Sequence, residues 1–88
     1  MKFICRNEQE WNMAQQYLLD SGLQWGSSSK WVPWLSAINY SSHADRVTIG
    51  QERILKPKQL WYNLIDETGA VEARQFFQQL VINRFYGV

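Results

Sequence analysis

Residues Lys2 to Cys5 form a short apolar opening that predicts a strand, and Asn7-Glu-Gln-Glu10 follows at once. An N-cap side chain with a carboxylate at the third helical position is a capping-box variant, so a helix is expected to start there. Trp11, Ala14 and Leu18 recur at i, i+3 and i+7, with Met13 and Tyr17 widening the stripe. Gly22 and Leu23 then supply a left-handed C-cap and its apolar clasp.

Between Leu23 and Ser36 the pattern breaks: Gly26, Ser27 to Ser29 and Pro33 favour a loop or an irregular edge, anchored by its tryptophans. Ala37 to Ser42 and Arg46 to Gly50 read as two strands, with Ile38 and Tyr40 sharing one face and Val47 and Ile49 another. Ser-His-Ala-Asp45 is the turn of this antiparallel hairpin. Pro57 suits the first turn of a helix in which Leu60, Trp61, Leu64 and Ile65 share a face up to Gly69, a strand from Trp61 to Ile65 being the alternative. From Ala70 to Arg84 the spacing of Ala73, Phe76, Phe77, Leu80 and Val81, against Gln75, Gln78, Gln79 and Asn83, predicts an amphipathic helix that closes the core. The expected architecture is one small α+β domain over residues 1–88. It comprises an N-terminal strand, a helix, an antiparallel β-hairpin and two C-terminal helices on one face of the sheet.

At 88 residues the chain buries one modest core, so self-association would help it. An open hairpin edge and the C-terminal helix suit a homodimer, with Phe85 and Tyr86 as candidate contacts. Nine Lys and Arg against eight Asp and Glu leave a net charge of +1, far from the excess expected of a duplex nucleic-acid binder. The single cysteine, Cys5, excludes an internal disulfide and a cysteine-built metal site, and in an apolar segment it acts as core filler. No apolar run approaches the ~18 residues of a membrane span, and the opening residues do not read as a secretory signal. A soluble, cytoplasmic protein that does not engage membranes is the expectation.

Catalytic groups are sparse. His43 and Asp45 are the nearest to a base and its orienter, yet both fall in the expected turn, where such residues are ordinarily solvated. Asp66 and Glu67 are adjacent and do not aim two carboxylates at one metal. Gly26-Ser-Ser-Ser-Lys30 has the small residues of a phosphate cradle but lacks the second glycine and the Lys-Ser/Thr ending of a P-loop. Neither an enzyme nor a cofactor is indicated.

The surplus lies in aromatic residues. Five tryptophans occur, three of them in the stretch Trp25-Gly-Ser-Ser-Ser-Lys-Trp-Val-Pro-Trp34. Trp11 and Trp61 fall on apolar stripes, and Trp25 points with Leu23 if the segment is extended, so these three are assigned to packing. Trp31 and Trp34 flank Pro33 in the loop, and with Tyr40 they are candidate anchors for a protein partner. Lys30, Arg46, Arg53, Lys56 and Lys58 suggest a different surface, on which cations meet phosphates while an indole stacks on a base of RNA or a nucleotide.

Leu19-Asp-Ser-Gly22-Leu-Gln-Trp25-Gly26-Ser27, placed after a strand and a capped helix, resembles a pattern of short bacteriophage-encoded early proteins: helix, L-x-x-x-G-x-x-W-G/S, hairpin. The resemblance covers the first half of the chain. It implies a viral host-takeover or anti-defence protein that binds and inhibits a bacterial host protein without catalysis. Related phage factors neutralise host nuclease toxins by binding RNA together with the toxin, the variant that the basic residues would serve.

Overall fold

In the computed structural model the described residues are 1–26, 30–51 and 58–86, with side chains to Arg84. β1 (Lys2–Cys5) leads into α1 (Glu8–Asp20), followed by β2 (Gln24–Trp25), α2 (Trp34–Asn39), β3 (Val47–Gly50), β4 (Gln59–Tyr62), β5 (Val71–Glu72) and α3 (Ala73–Tyr86). The strands form one mixed sheet in the order β2-β4-β3-β1-β5. β3 runs antiparallel to both β1 and β4, whereas β2 pairs parallel to β4 and β5 parallel to β1.

The first two elements form as their residues dictate. Asn7 caps α1 by accepting the Glu10 N–H through its side chain at 2.9 Å. Glu10 reaches back one residue further than a capping box requires, accepting the Arg6 N–H at 2.9 Å and the Asn7 amide at 3.1 Å. At the other end the Gly22 N–H donates to the Leu19 carbonyl at 3.0 Å and the Leu23 N–H to that of Leu18 at 3.2 Å. These are the two bonds of a Schellman motif, with Gly22 at φ +96°.

Phe3, Cys5, Val47 and Ile49 point from the centre of the sheet into the layer formed by α1 and α3. There Phe3 packs edge-on to Tyr17 and Phe76 and stacks on Phe77, all within 5.8 Å between ring centroids. The opposite face is covered by the chain between β4 and β5. Leu64 is buried, Thr48 donates its hydroxyl to Glu67 at 3.0 Å, and Lys2 donates to the Asp66 carbonyl at 2.9 Å. With both faces covered, every residue of β3 is buried.

The single α+β domain and its C-terminal helix on the sheet agree with the sequence, but three expected elements differ. Ala37 to Ser42 is not a hairpin strand: Trp34–Asn39 is a short helix, and β3 finds its antiparallel neighbours in β1 and β4. Burial of Ala37 and packing of Trp34 and Ile38 on the core outweigh the alternation of this segment. The helix expected after Pro57 is replaced by β4, close to the strand alternative, because β3 needs a second edge partner and Tyr62 supplies an aromatic contact to Trp11. Among the described residues one C-terminal helix therefore packs on the sheet instead of two, and Val71–Glu72 form β5. The stretch read as a loop or an irregular edge holds β2, a strand of two residues at the edge of the sheet.

Candidate interaction surface

The tryptophan-rich segment is held by one buried amide. Gln15 occupies the apolar side of α1 and is fully buried. Its Oε1 accepts the Val32 N–H at 2.8 Å and the Trp25 indole N–H at 2.9 Å, while its Nε2 donates to the Val32 carbonyl at 2.9 Å. The Trp11 indole N–H donates to the same carbonyl at 2.8 Å. Val32 thus has both backbone groups paired with α1, as a residue in a sheet has them paired with a neighbouring strand. Trp11 stacks on Trp25 at 6.2 Å, meets Trp34 at 6.4 Å, and Trp25 lies edge-on to Tyr62 at 5.5 Å.

Around this clamp the candidate anchors divide. Trp34 begins α2 and is half-buried against the core, so its ring serves packing more than contact. Trp31 remains 43% exposed beside Asn12, Met13, Gln16 and Tyr17. Tyr40, immediately after α2, is 71% exposed, and its carbonyl is held by the Asn63 side-chain amide. Leu35, which the sequence did not single out, is 68% exposed on α2. Asn63 also accepts the Ser42 N–H at 2.6 Å, and it adopts φ 58°, a conformation that asparagine tolerates. Both ends of the Trp31–Tyr40 segment are therefore tied to other elements, with three large side chains in solvent. Trp61, assigned to a helical core stripe, lies half-buried on β4 instead. Trp11 is fully buried, as expected.

Of the basic candidates, Arg46 is taken up by neighbouring carboxylates. Arg46 donates to Glu67 at 3.0 Å and to Asp45 at 3.0 Å. Its bond to Glu67 is the main cause of a guanidinium pKa above the ordinary value. Lys30 and Lys58 are exposed, while Arg53 and Lys56 lie outside the described residues, as does Ser27–Ser29 of the suggested phosphate cradle.

His43 does not pair with Asp45. Its Nε2 lies 3.6 Å from Glu67, whose oxygen already accepts from Arg46 and Thr48, and Asp45 turns to Arg6 and Arg46. Asp66 and Glu67 likewise diverge: Asp66 accepts the Thr68 N–H at 2.9 Å, and Glu67 faces the sheet. Among the described residues no group of three or more His, Cys, Asp or Glu is placed to hold a metal ion. Cys5 is fully buried; burial, reinforced by Glu10 and Glu72, drives its thiol pKa upward and keeps it protonated. Among the described residues no helix is long and apolar enough to cross a membrane.

In comparisons with known proteins, no family model, curated protein or solved structure matches this chain.

Proposed function

We propose that this chain is a non-enzymatic binding protein that docks on another protein through the Trp31–Tyr40 segment and blocks it. The observation that carries this is a rigid mount for exposed anchors. The Gln15 clamp at Val32 and the Asn63 bonds at Tyr40 and Ser42 hold a segment whose Trp31, Leu35 and Tyr40 stand in solvent. Anchors fixed before contact lose little conformational entropy on binding, which is where aromatic contact surfaces gain affinity. The bacteriophage resemblance makes a bacterial protein in the host cytoplasm the partner to seek. RNA or nucleotide binding is supported less, since Arg46 is closed by two carboxylates and would have to break those pairs to meet a phosphate.

Immobilised protein incubated with bacterial lysate should retain a specific protein, and Trp31→Ala combined with Tyr40→Ala should reduce retention by tenfold or more, given about 2 kcal/mol per true anchor. Nuclease treatment should leave capture intact, and retention should change little with salt. Capture that the double variant does not alter, or that nuclease abolishes, refutes the proposal.

A further inference from the structure

Residues 31–42 run from Trp31 through α2 to Ser42 without entering the sheet, since β2 ends at Trp25 and β3 begins at Val47. Their backbone bonds stay within the stretch: the Ala37 N–H donates to the Pro33 carbonyl at 3.1 Å and the Ser41 N–H to that of Ile38 at 3.1 Å. Among the described residues, every hydrogen bond that joins this stretch to another element has a side chain on at least one end. Val32 is held by Gln15 and the Trp11 indole, Tyr40 and Ser42 are held by Asn63, and the Ser41 hydroxyl donates to the Arg46 carbonyl at 2.6 Å. The centre of the sheet is tied differently. β1, β3 and β4 pair backbone to backbone, and every residue of β3 is buried. Within 31–42 only Ala37 is fully buried, while Val32, Trp34 and Ile38 pack on the core from one side.

A segment with few buried apolar contacts and no ladder bonds opens at lower free energy than the core beneath it. Its shortness makes that opening cooperative. α2 has six residues, no side-chain N-cap bond and Pro33 ahead of it, and a helix so short does not hold its shape without a surface to pack on. Releasing Val32 from Gln15 withdraws Trp34 and Ala37, which follow it within five residues, so α2 loses that surface. No ordered chain then remains to present Tyr40 and Ser42 to Asn63. Releasing Asn63 first leads to the same state from the other end.

We propose that residues 31–42 form a strap, latched at Gln15 and Asn63, that opens as one unit while α1, α3 and the sheet stay folded. The closed strap is the populated state, and opening it uncovers Trp11, whose ring meets Trp34 at 6.4 Å when closed. Trp31, Leu35 and Tyr40 all ride on the strap, so the docking surface is assembled or lost as a whole. That consequence rests on the docking function proposed above; the opening is a property of the chain alone.

Native-state hydrogen exchange of the full chain, followed residue by residue by NMR in zero to low urea, measures the opening. The Val32, Ala37 and Ser41 amides should share one opening constant and one urea dependence. They should open at least about tenfold more often than the ladder amides of β1 and β3, and with a smaller urea slope. Each latch is then tested from its far end. Asn63→Gly suits the φ of 58° and removes both side-chain bonds, and it should speed exchange at Val32 as much as at Ser41. Gln15→Leu should likewise speed exchange at Ser41 as much as at Val32. Exchange of the strap amides in step with β1 and β3, unequal opening constants at Val32 and Ser41 in the wild type, or a variant whose effect stays at its own latch would each overturn the proposal. The wild-type comparison decides alone if neither variant folds. Partner capture enters none of these readings, so the strap and the docking function fail or stand separately.

Discussion

Gln15 carries more of the structure than its size suggests, because one amide satisfies the Val32 N–H, the Val32 carbonyl and the Trp25 indole together. Gln15→Leu keeps the volume and removes all three partners. The Val32 N–H and the Trp25 N–H lose their acceptor, while the Val32 carbonyl keeps the Trp11 indole. Each buried group left unpaired costs about 1–3 kcal/mol, so the expected destabilisation is about 2–4 kcal/mol in urea unfolding. A loss below 1 kcal/mol would show that the segment is held by packing instead. Trp11, Ala14 and Leu18 were legible as a buried stripe. Gln15, four residues after Trp11, stands within the same arc, and an amide in that place was the available sign of a buried polar hub. Counting tryptophans pointed to the segment, but whether each indole faces core or solvent depends on where Val32 is tied, a contact 17 residues away in sequence.

At the scale of elements, local signals succeeded where they were strong. β1 and α1 carry an apolar run, a cap at each end and a helical stripe, and all appear as read. Residues 34–39 carry no comparable signal: α2 has six residues, begins after Pro33 in extended conformation, and has no side-chain N-cap bond. Such a helix is set by what it packs on. Leu60, Trp61 and Leu64 fit one helical face, yet Leu60 and Tyr62 also share one side of a strand, and the pairing of Ile49 with Tyr62 decides between them. Gly50 records how close these strands come. A Cβ there would meet the Met1 carbonyl oxygen and approach the Lys2 Cα to 2.7 Å, both backbone atoms of the neighbouring strand segment. At Gly22 nothing lies within 4 Å, and only the backbone angle opposes a side chain. Gly22→Ala should therefore cost about 1 kcal/mol. Gly50→Ala should cost more, because β1 and β3 must separate to admit the methyl. Equal denaturation midpoints for the two variants would contradict this account of the sheet.

Across the whole molecule, charge is segregated. Residues 11–19 of α1 and 75–83 of α3 are free of charge, with the Glu10–Arg74 pair at the start of the two helices, while on the opposite side of the sheet an ion network links the ends of β1, β3 and β5 to the connection before β5. Arg6 grips Glu72 through two bonds of 2.9 Å, and Arg46 with Thr48 holds Glu67 at 3.0 Å. These groups join residues up to 66 positions apart. They fix the ends of the sheet in a domain too small to rely on its core alone. The bond from Arg46 holds the Glu67 carboxyl below the ordinary carboxylate range, and the bonds from Arg6 do the same for Glu72. A carboxylate with a lowered folded pKa stabilises the fold above its unfolded value, about 4.3, and loses that contribution as pH falls through the folded value. Thermal stability should hold from pH 7 to about pH 5 and decline below about pH 4. Arg46→Gln removes the cation that depresses Glu67, so this variant should melt below the wild type at pH 7 and approach it at pH 3. Scanning calorimetry at both pH values measures the difference. If the gap between the two proteins is the same at pH 3 as at pH 7, Arg46 acts through packing of its stem and not through the charge on Glu67.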